Sequence, residues 1–183
     1  MKTLAQQMSI YARYHRDFRN RLTHFIGVPA IMFALMLALG WLRLPVGPIE
    51  ISAAVPILTA LLIYYLALDV SIALAMTVFT VAMLMVSDMA ARLPFPTSLT
   101  IFGMTFIGGW VLQLVGHVFE GRRPALVDNL FQVIIAPIYL MAEVFFTLGY
   151  KLELRAEVER LAAEAEKKPR APMSASRRLR HRG

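Results

Sequence analysis

The chain has 183 residues, 58% hydrophobic and 17% charged, with 19 Lys/Arg against 12 Asp/Glu and no cysteine. Soluble domains run at ~45–50% apolar and ~25% charged, and so short a chain has too little interior to hide the excess; this argues against a soluble single-domain enzyme and excludes a disordered chain, a collagen and a coiled coil, and without cysteine there are no disulfides or thiolate metal sites. The net charge of +7 is carried at the two ends, where it suits anionic lipid headgroups rather than nucleic acid, since no basic face is interleaved with stacking aromatics.

Residues 1–23 hold five Lys/Arg and one Asp. They are too polar for a cleavable signal peptide. Leu4, Met8, Tyr11 and Phe18 recur at helical spacing, which predicts an N-terminal amphipathic helix lying in the membrane interface. The membrane domain is expected over residues 24–149. Four apolar runs, at about 24–42, 50–68, 70–87 and 98–118, each approach the ~20 residues needed to cross the hydrocarbon, and backbone in lipid must be helical. A fifth run, 130–149, contains Gln132, Pro137 and Glu143, which are costly in a lipid-facing span.

The excess of Lys/Arg on the cytoplasmic side decides how to treat that fifth run. With both termini cytoplasmic and an even number of crossings, every basic cluster stays inside. Residues 130–149 are therefore expected to form a re-entrant or interfacial helical segment. Residues 150–168 read as a solvated helix, and residues 169–183, basic and without acid, as a disordered tail. The predicted fold class is an all-α, multi-pass membrane protein with four transmembrane helices. The absence of organelle-retention signals points to a bacterial inner membrane.

Three of the four histidines converge in this topology. His15 lies on the N-terminal segment, His24 opens the first span and His117 closes the fourth, all at the cytoplasmic boundary. His15 and His24 are nine residues apart and would face opposite sides of a straight helix. A corner at Asn20–Thr23, with Thr23 as a cap, would bring them together. Asn20 and Gln113 lie one turn before His24 and His117, and Glu120 follows His117 by three residues. Glu143 and Asp69 fall on the same side. Gly108, Gly109 and Gly116 leave room for close helix approach.

Imidazoles supported by carboxylate and amide groups suit a divalent first-row metal, and two His with one carboxylate is the usual non-heme iron(II) arrangement. A lone interfacial His is more often structural, and the arginines of residues 13–21 more often meet lipid phosphates. Three His converging with a carboxylate favour a metal site. Arg122 or Arg123 could hold a substrate carboxylate.

Two blocks, YHRDFRNRLTHFIGVP from Tyr14 and WVLQLVGHVFEGRRPALVDNL from Trp110, the latter followed by APIYLMAE, together resemble the Mpo-type membrane family, over about residues 5–150. The resemblance implies an iron(II)-dependent dioxygenase of fatty acid α-oxidation. Its partners would be a long-chain 2-hydroxy fatty acid, shortened by one carbon, dioxygen and membrane lipids, and a homo-oligomer is compatible with it. His15, His24 and His117 then become the metal ligands, with Glu120 a further catalytic residue, either a direct ligand completing a two-His-one-carboxylate face or a support. Asn20, Gln113, Arg122, Arg123 and Glu143 are supporting or substrate-binding residues. Two other readings stand beside it: a different metal-assisted lipid enzyme, and a non-enzymatic membrane protein with structural histidines.

Overall fold

A computed structural model describes residues 2–121 and 131–167. Among these the chain forms seven helices and one hairpin. They are α1 (Leu4–Ala12), α2 (Phe18–Gly40), β1 (Arg43–Val46), β2 (Ile49–Ser52), α3 (Ala54–Leu68), α4 (Val70–Ala91), α5 (Phe95–Glu120), α6 (Gln132–Thr147) and α7 (Leu152–Lys167). Three helices, α2, α4 and α5, are long and apolar enough to cross a membrane.

The second expected span is shortened. Residues 43–52 pair as an antiparallel hairpin, Arg43 opposite Ser52 and Val46 opposite Ile49. Gly47 supplies the positive φ of 60° at its tip. So α3 starts only at Ala54, and its 15 residues reach ~22 Å at 1.5 Å per residue, short of the ~30 Å hydrocarbon thickness.

Helix α5 runs antiparallel to α2 and α4, which run parallel to each other, and together they define two ends of a bundle. At the hairpin end, Arg43 reaches Asp88 at 2.6 Å, and Trp41 Nε1 donates to Ser98 Oγ at 2.8 Å. The other end holds the start of α2, the Asp69 turn and the end of α5. Lys151, after α6, pairs with Asp69 there at 2.8 Å.

Helices α2 and α5 run close together because glycines face each other. A Cβ on Gly27 would lie 2.9 Å from the Gly109 carbonyl oxygen, and one on Gly109 would lie 2.7 Å from Ile31. Gly108 meets nothing within 4 Å. One residue along a helix turns by ~100°, which carries Gly108 off the face that Gly109 presents.

The N-terminal helix is covered by protein. Leu4, Met8 and Tyr11 are buried in one cluster with Tyr65, Ile72, Met76, Ile135, Ile138 and Val158, so α3, α4, α6 and α7 bury the apolar stripe that an interfacial helix would give to lipid. Phe18, expected in that stripe, starts α2 and is exposed. Helix α7 is mostly exposed, with Arg155–Glu159 and Arg160–Glu164 pairs one turn apart. Only Val158 and Ala162 are buried. The basic tail at 169–183 lies outside the described residues.

Candidate metal centre

The chain bends earlier than the expected corner at Asn20–Thr23. Helix α1 ends at Ala12, and Asp17 caps α2 by accepting from Arg19 N at 2.7 Å. Thr23 lies within α2, and its hydroxyl donates to Asn20 O at 2.8 Å. His15 therefore sits in the 13–17 connection, released from the helical phase that would have turned it away from His24.

His15, His24 and His117 meet in the interior, at 3%, 3% and 7% exposure. Each offers a nitrogen within 4.8 Å of the others. The ring centroids are 4.4 Å apart for His15–His24 and 5.1 Å for each pair with His117.

Backbone carbonyls set the tautomers of two of the rings. His15 Nδ1 lies 2.9 Å from Tyr11 O, and His24 Nδ1 lies 2.8 Å from Asn20 O. A carbonyl only accepts, so each Nδ1 carries the hydrogen and each neutral ring keeps its Nε2 lone pair bare. Burial, and next the proximity of His24, lower the His15 pKa to about 2, which keeps that ring neutral. The two Nε2 atoms nevertheless face each other at 3.0 Å. Two lone pairs at that distance repel unless a cation lies between them. His117 Nδ1 is buried without a hydrogen-bond partner among the described residues. This donor set fits a bound metal ion, and the tie from each Nδ1 to a carbonyl is the support that orients a ligand imidazole.

Glu120 is a clamp on the ligand-bearing segment. Both its oxygens accept from Arg16 N at 3.0 Å, and Oε2 also accepts from Asp17 N at 2.8 Å and Asn20 Nδ2 at 3.0 Å. The cluster that could hold a metal consists of the three histidines without it. Asn20 is fully buried. Its Nδ2 also donates to Tyr14 O at 3.1 Å, and its carbonyl orients His24, so this one residue joins the bend, the clamp and a ligand. Gly116 makes the junction possible, because a Cβ there would collide with Thr23 Oγ1 and Asn20 Oδ1.

The other expected residues fall at different distances from the cluster. Gln113 lines the cavity beside the histidines. Glu143 pairs with Arg21 at 3.4 Å and is absent from the cavity wall. Asp69 holds Lys151. Arg122 and Arg123 lie outside the described residues.

A cleft opens from the cluster, with about 700 Å³ of empty space counting the open solvent at its mouth. Val28, Ile31, Met32 and Leu35 of α2, Trp110, Gln113 and Leu114 of α5, and Gln132, Val133, Ala136 and Pro137 of α6 line it, with Tyr11 and the three histidines. Leu35, Leu114 and Val133 are also substantially exposed, so the cleft is open along its side. Among the described residues no charged side chain lines it.

Sequence reasoning missed the roles of Tyr11 and Gln132. The Tyr11 ring stacks on His15 at 3.8 Å and 7°. Its signal was present, four residues before His15 on the same helical track, but it read as part of an apolar stripe. Gln132 was noticed only as a cost to membrane crossing.

Residues 1–148 match the family described as 2-hydroxy-palmitic acid dioxygenase Mpo1-like. The chain is 35% identical over 158 residues to the 2-hydroxy-palmitic acid dioxygenase MPO1 of Saccharomyces cerevisiae, covering 85% of this chain and 87% of that protein. No solved structure matches it.

Proposed function

The chain belongs to the Mpo1-like family, and on that premise we propose that it is an iron(II)-dependent membrane dioxygenase that shortens long-chain 2-hydroxy fatty acids by one carbon. The observation that carries this reading is the pair of bare Nε2 atoms at 3.0 Å beside the buried His117, whose Nδ1 has no hydrogen-bond partner among the described residues, placed at one end of an apolar cleft. The expected ligands are His15, His24 and His117, with Glu120 and Asn20 holding them in place.

The cleft suits the substrate in length and polarity. From His24 to Leu35 is eleven residues of α2, or ~16 Å at 1.5 Å per residue. One leaflet of a ~30 Å hydrocarbon core is ~15 Å deep, about the length of one lipid chain. An acyl chain can thus lie along α2 and enter sideways from lipid, with its carboxylate at the histidine end. Gln113 and the histidines meet the polar head, while Trp110 and the aliphatic wall exclude water from it.

Iron(II) held there would supply the redox chemistry that joins dioxygen to the substrate. The balanced reaction converts R–CH(OH)–COOH and O2 into R–COOH, CO2 and H2O. The bond between carbons 1 and 2 breaks, carbon 1 leaves as carbon dioxide, and carbon 2 becomes the new carboxyl. The substrate supplies all the electrons that reduce dioxygen, so the reaction needs no separate reductant.

The histidine end is read as the cytoplasmic boundary, with both termini inside. In support, α5 ends there and the turn after α6 pairs with Asp69 there, as a re-entrant α6 requires. The test is anaerobic addition of iron(II) to metal-free protein in lipid nanodiscs, followed by 2-hydroxypalmitate and air. Pentadecanoate and carbon dioxide in equal amounts are expected. A protein with iron bound that leaves 2-hydroxypalmitate intact would refute the reading.

A further inference from the structure

The cleft is lined by a residue with a buried polar atom that the reaction as described does not use. Gln132, the first residue of α6, is 3% exposed, and its Oε1 is buried with no hydrogen-bond partner among the described residues. Native structures rarely leave a buried carbonyl oxygen without a donor, because desolvating it is costly. This residue also lines the same cleft as the three histidines, and the residues beside it there, Val133, Ala136 and Pro137, are apolar. Because Gln132 lines the cleft, whatever fills the cleft can supply that donor.

The chemistry of the substrate, as read under Proposed function, then narrows the partner to one group. An ionised carboxylate only accepts hydrogen bonds, and an acyl chain does neither. The 2-hydroxyl is the single donor that a 2-hydroxy fatty acid carries. We propose that Gln132 is the residue that selects 2-hydroxy acids over unsubstituted fatty acids, its Oε1 accepting the hydrogen of the 2-hydroxyl.

An apolar wall alone cannot reject an ordinary fatty acid, which would fit the same groove but leave Oε1 unpaired. Sites that hydrogen-bond a substrate hydroxyl reject analogues lacking it much more strongly than apolar pockets reject a missing methylene. For one neutral acceptor the discrimination is about tenfold or more.

The test is displacement of a fluorescent fatty acid from the full chain in nanodiscs, both metal-free and anaerobically loaded with iron(II). The competitors are 2-hydroxypalmitate, palmitate and 2-fluoropalmitate, which matches the hydroxyl in size but has no hydrogen to donate. Wild type should prefer 2-hydroxypalmitate to both others by about tenfold or more. Gln132→Met should bring the preference close to one while palmitate binds as well as before, and its melting temperature should stay level or rise, because an unpaired acceptor is gone. The fluoro competitor asks the same question of the wild-type protein, whatever the fold of the variant.

Wild-type preference retained in Gln132→Met would overturn the proposal. So would equal weakening of both acids by that substitution, or 2-fluoropalmitate binding wild type as tightly as 2-hydroxypalmitate. Product analysis keeps this separate from the function itself. Turnover without a Gln132-dependent preference sinks only this proposal, whereas the preference without turnover sinks only the dioxygenase reading.

Discussion

Replacing Glu120 distinguishes a clamp from a metal ligand. Glu120→Ala strips the acceptor from Asp17 N and Asn20 Nδ2, two partly buried donors at 2.8 and 3.0 Å, and from the exposed Arg16 N. Hydrogen bonds to a charged group contribute ~1.5–3 kcal/mol each. Arg16 N can bond to water instead, so the local loss is that of the two partly buried bonds, ~3–6 kcal/mol as an upper bound. It falls on the 13–17 connection that carries His15 and on the Asn20 carbonyl that orients His24. Glu120→Gln can turn its oxygen toward Asp17 and Asn20 and keep both bonds at roughly half their strength. The expected result is graded: iron(II) affinity falls by ~10-fold in the Gln variant and ~100-fold in the Ala variant, the range for groups that support a ligand, with one iron per chain still reached at saturation. Anaerobic iron titration beside thermal melting reads both effects. If both variants lose stoichiometric iron while melting like wild type, Glu120 is itself a ligand. If neither variant changes affinity, the clamp has no influence on the site. Either outcome refutes the reasoning.

Single His15→Ala, His24→Ala and His117→Ala variants should each lose stoichiometric iron and turnover while remaining folded; metal retained in any of them, measured by elemental analysis, would move the site elsewhere. Gly116→Ala should lower stability by ~1–3 kcal/mol through overpacking and weaken iron binding, since its Cβ collides with Thr23 and Asn20. Gly108→Ala, which meets nothing within 4 Å, should do neither in the same melting and titration series. Reporter fusions after Arg43, Asp69, Arg92 and Gly183 should read outside, inside, outside and inside; an external reporter at Gly183 would overturn the even number of crossings.

Much of the site was visible in residue types, and less of it in residue roles. His15, His24 and His117 are the histidines outside the basic tail, and the alternation of spans already placed them at one boundary. Glu120 was found but its role was open, because a position three residues after His117 specifies a helix face and not the partner across from it. The partners are Arg16 and Asp17, more than a hundred residues away in sequence. Likewise Asp17 and Thr23 are both able to cap a helix. Asp17 caps because its own backbone N–H and that of Arg16 are held by Glu120, which fixes the bend just before it. The hairpin at 43–52 was missed because four-residue strands next to a long apolar run hardly change local hydropathy.

The amino-acid sequence alone determined that the chain is mostly helical with long apolar segments suited to a membrane, and led to the expectation that three histidines gather at one end, since composition, hydropathy and charge asymmetry are local and additive quantities. Only the tertiary structure decided that α1 is covered by protein, that Glu120 grips the His15 connection, and that two imidazoles turn bare nitrogens toward each other. It also decided that Gln132 lines the cleft with its oxygen unpaired among the described residues. These depend on which faces of α2, α5 and α6 meet. That is governed by close contacts such as those of Gly27, Gly109 and Gly116, where the loss of a single Cβ sets the distance between helices, and no one-dimensional pattern records it.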